Sequence, residues 1–348
     1  MERSADFYIT KYNKHLAKRT LNAICAFMIF CRLLTYAASY YEPYAEGLLI
    51  KLLSFITGKS AGLAIVLFSN ISETVMWTCF TDMIYQLLFA FLPVFLFSKF
   101  VLKRKFEESF PFEGKTVHPA VTVCALLTVM SYYAASAVMY VTDLFMPAAS
   151  YVEQYESVSA PQTGLDYFVY FIAVCIFTPF VEEYIYRGVI FGSLRKFGFG
   201  FAAFSSALIF MFSHADFPTM AFAFVNGFFY ALLVEKTGNI KTAVLLHVLN
   251  NSLNFVMTDV LPLFVGNAAL EKIYFVEMIV LWVLALPGVY FLFFKKYKKP
   301  QEETESADGE GVSAKSKKNA GIFELLCLFM ILYGVLGVVR ALMIAGII

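Results

Sequence analysis

Residues Tyr167–Phe191 read YFVYFIAVCIFTPFVEEYIYRGVIF, and three charged residues, Glu182, Glu183 and Arg187, interrupt an otherwise apolar or uncharged run. The stretch exceeds the roughly 20 residues that a helix needs to cross the hydrocarbon core. A soluble protein would have to bury such a helix on every side. The surrounding chain makes that impossible: of its 348 residues 60% are hydrophobic and 15% charged, against about 45–50% and about 25% in soluble domains. The expected fold class is therefore an all-α polytopic membrane protein, a bundle of about eight to ten transmembrane helices with the active site between core helices.

Outward from that stretch, apolar runs predict spans near 21–41, 76–98, 119–146, 166–192, 199–214, 219–235, 241–262, 273–294 and 322–348. The segment 46–70 carries Lys51, Lys59 and a break at Gly58, and reads as an interfacial or re-entrant helix or as a tenth span. With 46–70 not crossing, the basic N-terminal tail, Lys99–Lys105, Arg195 with Lys196, Lys236–Lys241 and Lys295–Lys299 fall on one side. The loop 147–164, with Glu153 and Glu156 but no Lys or Arg, falls on the other. By the positive-inside rule the N-terminus is expected in the cytoplasm of a multi-pass cell-membrane protein. Arg32 within the first run, and the lack of a small-residue cleavage site, oppose a signal peptide. Residues 300–320, polar and free of aromatics, read as a flexible linker before a last helix. In that helix Gly334, Gly337 and Gly346 allow close contact.

Several function classes drop out. A net charge of +1 leaves no basic face for nucleic acid once the loop clusters are assigned to orientation. The six cysteines, Cys25, Cys31, Cys79, Cys124, Cys175 and Cys327, lie in or beside apolar runs without CxxC spacing, so neither disulfides nor a thiolate zinc site is expected. No internal repeat is visible, which disfavours a repeat-built transporter.

A charge at membrane depth costs about 2.5–3.5 kcal/mol, so Glu182, Glu183 and Arg187 need an explanation. Glu183 and Arg187 stand four apart with the acid first, the spacing that pairs them. Glu182 is rotated about 100° around the helix and points to a different neighbour. Two of the four histidines, His214 and His247, lie in or at the end of apolar runs, whereas His15 sits in the basic tail and His118 precedes a span. His247, Asn251 and Asn254 share one helical face with Asn250 beside them, a stripe that must face protein or water. Asn226, Asn250 and Asn254 read as interhelical hydrogen-bonding residues.

Hydrolysis of an amide needs an activated water, an acid for the leaving amine and donors for the oxyanion. Glu182 can supply the base, His214 can orient the water, and His247 with the Asn251 amide can donate to the oxyanion. The same Glu182, His214 and His247 could instead hold zinc with an open position for water, although no HExxH helix is present. Serine chemistry at Ser213 or Ser252 lacks a GxSxG elbow. Asp143, Asp216 and Asp259 sit toward span ends rather than as an intramembrane pair.

EEYIYR (Glu182–Arg187), FMFSH (Phe210–His214) and HVLNN (His247–Asn251) resemble the EExxxR, FxxxH and HxxxN motifs of the CPBP or Abi family of CAAX prenyl proteases and bacteriocin-processing membrane endopeptidases. The likeness covers roughly 160–262. It implies a catalytic core there, preceded by accessory helices in 1–159 and followed by a further helix in 263–299, the linker 300–320 and a terminal helix in 321–348. It also implies Glu182 as general base, Glu183 and Arg187 as its support, His214 as partner in activating water, and His247 with Asn251 on the oxyanion side. The implied partners are the lipid bilayer and a membrane-associated, optionally lipidated, peptide or protein substrate. Cofactor dependence is expected to be none, with zinc as the alternative. Two other functions use the same groups: a transporter with a proton relay, and a catalytically silent immunity or scaffold protein.

Overall fold

A computed structural model of the chain describes residues 2–111, 120–145, 161–214, 216–296 and 328–344. The regular elements among them are all helical. In chain order they are α1 (Glu2–Thr57), α2 (Ala61–Ser72), α3 (Val75–Phe100), the short α4 (Phe106–Ser109), α5 (Ala120–Phe145) and α6 (Gly164–Phe197). There follow α7 (Phe199–Met211), α8 (Phe217–Thr237), α9 (Lys241–Leu263), α10 (Asn267–Phe294) and α11 (Leu328–Ile344). Among the described residues seven helices are long and apolar enough to cross a membrane, namely α1 from Asn13 onward, α3, α5, α6, α8, α9 and α10. The chain is an all-α polytopic membrane protein. His118, Cys327, Gly346, the Asp143 side chain, most of the loop 147–164 with Glu153 and Glu156, and the linker 300–320 lie outside what is described.

Two predicted spans are revised. Residues 46–57 are no separate helix: α1 runs through Pro43 to Thr57 and stops at Gly58, whose φ of 64° is the left-handed conformation that ends a helix. Proline inside a membrane helix removes one hydrogen bond without forcing a stop, which is why the expected end at 41 fails. The predicted 199–214 span is the 13-residue α7, about 20 Å long and too short to cross a core about 30 Å thick by itself.

Local chemistry sets the helix starts. At α6 Thr163 accepts from the Asp166 N–H at 3.2 Å while the Thr163 N–H donates to Asp166 at 2.9 Å, a reciprocal capping box. Asp216 caps α8 by accepting from the Thr219 N–H at 2.8 Å. Both carboxylates are thus occupied in holding helix ends.

The core lies where α6, α7, α8 and α9 meet, closed by the buried face of α1 from Ala17 to Cys31 and by α5 from Val123 to Leu127. Outward faces of α1, α5 and α10 carry exposed Phe55, Tyr140, Phe275 and Leu286, an apolar surface that lipid covers. The five described cysteines are buried and form no disulfide with one another. The basic loops gather at one end of the bundle. Arg195 pairs with Glu235, Lys236 donates to the Leu292 carbonyl, and Arg104 donates to Ser193 at 3.4 Å.

Candidate active site

Glu182 and Glu183 stand on α6 between two π-helical segments, Phe171–Phe177 and Tyr184–Phe191. A π segment slips the hydrogen-bond ladder by one residue and leaves carbonyls to be satisfied from outside. In the first segment the Thr178 N–H bonds to Ala173 O, and the next residue, Pro179, has no N–H to offer. The Val174 carbonyl is therefore free, and the Asn251 Nδ2 of α9 donates to it at 3.0 Å. In the second segment the Tyr186 carbonyl accepts from Ser206 Oγ of α7 at 2.7 Å. The irregular helix is tied to its neighbours at the points where it is irregular.

The charged groups form one line. Arg187 Nε lies 3.1 Å from Glu183 Oε2, and neither side chain has any exposure. Glu183 Oε1 accepts from His247 Nδ1 at 2.9 Å. His247 Nε2 faces Glu182 Oε2 at 3.6 Å, beyond ordinary hydrogen-bond length. The Arg187 guanidinium lies over the Phe210 ring at 4.4 Å and the Tyr230 ring at 5.3 Å, faces that attract a desolvated cation. The Tyr230 ring packs on His247 with centroids 5.6 Å apart. Arg187 thus pairs with Glu183 and not with Glu182, as helical spacing predicts. The Glu183–His247 bond crosses between helices and has no counterpart in that spacing.

Glu182, unlike Glu183, is partly open, with a side-chain exposure of 23%. It lines a cavity of about 400 Å³ together with His214, His247, Asn250, Asn251 and Asn254. His214, three residues past the end of α7, and His247, within α9, both line this cavity. His214 Nδ1 meets the Phe210 carbonyl at 2.9 Å. A carbonyl only accepts, so Nδ1 carries the hydrogen and Nε2 is left as the basic nitrogen. Asn250 accepts from Thr128 of α5 at 3.1 Å, an interhelical bond. Of the remaining histidines, His15 on α1 is exposed and does not line this cavity.

Three further lining residues were given no part in the site by the sequence reading. One of them, Asn226 of α8, was expected to hydrogen-bond between helices, but it is buried and neither amide atom has a hydrogen-bond partner among the described residues. The signal was present, since a lone amide on an apolar helix is costly, but nothing in a sequence says which side it faces. Tyr230 and Thr178 also line the cavity, and Thr178 Oγ1 accepts from Gln86 Nε2 of α3 at 2.9 Å.

Among the described residues no three His, Cys, Asp or Glu side chains are grouped to hold a metal ion. His247 turns both ring nitrogens toward carboxylates. Glu182, His214 and His247 do not form such a group in this arrangement.

Residues 164–253 match the family described as Type II CAAX prenyl endopeptidase Rce1-like. The chain is 34% identical over 87 residues to the putative membrane peptidase YdiL of Bacillus subtilis strain 168, covering 25% of this chain and 36% of that protein. It is 33% identical over 91 residues to the membrane-embedded CAAX protease MroQ of Staphylococcus aureus strain USA300, covering 24% of this chain and 36% of that protein. The chain thus spans about a third of the length of these curated relatives. No solved structure matches. The matched segment holds Glu182, Glu183, Arg187, His214, His247 and Asn251, and excludes α1 and α11.

Proposed function

Taking residues 164–253 as an Rce1-like domain, we propose that the chain is an intramembrane endopeptidase that hydrolyses a peptide bond of a membrane-associated protein or peptide of the CAAX type. The observation that carries this reading is the lining of one 400 Å³ cavity by Glu182, His214, His247 and Asn251 within a bundle of apolar helices. A general base, a second nitrogen base and amide donors around one hydrated space are the set that amide hydrolysis requires.

Glu182 takes a proton from a cavity water as the water oxygen bonds to the scissile carbonyl carbon, with His214 Nε2 orienting that water. The carbonyl π electrons move to oxygen. His247, set between two carboxylates, donates from Nδ1 to Glu183 and turns Nε2–H to the developing oxyanion, where the second Asn251 N–H joins it. Glu182 then passes its proton to the leaving nitrogen as the C–N bond breaks. Glu183 and Arg187 hold the His247 ring in place and complete the alternation of charge. The basic end of the bundle and the N-terminus face the cytoplasm.

The test is Glu182→Gln in protein purified and reconstituted in nanodiscs, with a farnesylated CAAX peptide bearing a fluorophore and quencher as probe. A positioned base contributes about 10²–10⁴-fold, and a loss of that size is expected. Undiminished cleavage would remove Glu182 as the base. An unlipidated copy of the peptide reports whether the prenyl group is required.

A further inference from the structure

The chain turns sharply just before His214, and the turn leaves carbonyls that no helix satisfies. Four consecutive ones can be followed. Phe210 O receives the Ser213 N–H at 3.1 Å, Ser213 Oγ at 2.6 Å and His214 Nδ1 at 2.9 Å. Met211 O receives the His214 N–H at 3.1 Å. Phe212 O receives Arg32 Nη2 of α1 at 3.1 Å. Ser213 O receives Arg340 Nη1 of α11 at 3.2 Å.

Two arginines from opposite ends of the chain therefore complete the turn that follows α7 and leads to His214. Each lies in an apolar helix, where a cation costs about 2.5–3.5 kcal/mol, and each meets the negative end of the α7 dipole, where a cation is favoured. The helices that carry the two arginines also pack on one another. The Arg32 guanidinium lies 5.8 Å from the Tyr333 ring of α11, and Tyr333 approaches Phe212 with centroids 6.4 Å apart. Gly334 and Gly337 admit the Phe212 side chain so closely that a Cβ at either would come within 2.9 Å of it. Close contact through these glycines is thus made with α7.

We propose that Arg32 and Arg340 are positioning residues for His214, so that the first and last helices, outside the family-matched segment, belong to the catalytic unit. The clamp fixes the backbone on which the His214 ring is hung. The Nδ1 bond to Phe210 O then aims Nε2 into the cavity. This inference rests on His214 acting in the hydrolysis proposed above.

Arg340→Gln, Arg32→Gln and Arg340→Lys, each in the full chain in nanodiscs, provide the test with the farnesylated CAAX probe. Each carbonyl takes a single N–H, so lysine, with nearly the reach of arginine, can replace it as donor. The glutamine amide also donates but ends too close to its own helix to reach. The Gln variants are expected to lose roughly tenfold to a hundredfold in kcat with KM unchanged, to displace the pH–rate profile, and to be largely rescued in Arg340→Lys. Carbethoxylation of His214 by diethyl pyrocarbonate, read by mass spectrometry, should rise about fivefold as the turn opens more often, with His247 unchanged. Unaltered His214 labelling and an unmoved pH profile in both Gln variants would overturn the clamp. An equal rise at His214 and His247 would overturn it too, because general loosening does that. The labelling arm needs no substrate, so it decides the clamp even if the wild-type chain cleaves no peptide.

Discussion

Glu182 and Glu183 are adjacent in sequence and opposite in circumstance. Glu183 is fully buried between Arg187 and His247, so neutralising it strands a guanidinium in an apolar core. Breaking a buried pair in this way costs about 3–5 kcal/mol, and Glu183→Gln is expected to lower the thermal unfolding temperature markedly. Glu182 stands on the cavity wall and is partly open. Glu182→Gln is expected to unfold near the wild-type temperature while losing cleavage. Scanning fluorimetry of the two variants side by side checks the division, and matching losses of stability would contradict it. The Glu183–Arg187 pairing was legible because it lies within one turn of one helix. The His247 bond to Glu183 was not, because two helices had to be placed before either group had a neighbour.

At the scale of the element, the π segments of α6 determine what Asn251 does. Its predicted part was oxyanion donation, and the structure sets one amide N–H against Val174 O. Asn251→Leu leaves that carbonyl unpaired and should cost about 1–3 kcal/mol. Pro179→Ala restores an N–H five residues after Val174, the donor that the π register lacks. In that background the Asn251→Leu penalty should shrink, giving a coupling of about 0.5 kcal/mol or more in a double-mutant cycle. Strictly additive effects would show that the carbonyl is satisfied by other means. The sequence shows Pro179 but not the ladder slip that makes its missing N–H matter at Val174.

For the whole molecule, the apolar outer faces and the clustered basic loops make a topological prediction. Lys196, Lys241 and Lys296 lie in or beside loops tied at one end of the bundle through Arg195–Glu235 and Lys236–Leu292. Cysteines placed singly at these three positions should react with a membrane-impermeant maleimide from the same side, the cytoplasmic one. The five described native cysteines are buried, which keeps their background low. Labelling of any two from opposite faces would refute the arrangement.

Length of apolar run and helical period are properties of a single segment, and they sufficed to establish the membrane class, most of the helices, the Glu183–Arg187 pair and the segments bearing the two imidazoles. Which polar groups meet across helices was decided only by the tertiary structure. Glu183 takes His247, Asn251 takes a backbone carbonyl, and Arg32 and Arg340 close the turn before His214. These contacts depend on helix tilt, on a slipped hydrogen-bond ladder and on the docking of chain ends far apart in sequence. Local pattern carries none of that information, because each is settled by satisfying buried polar groups in three dimensions.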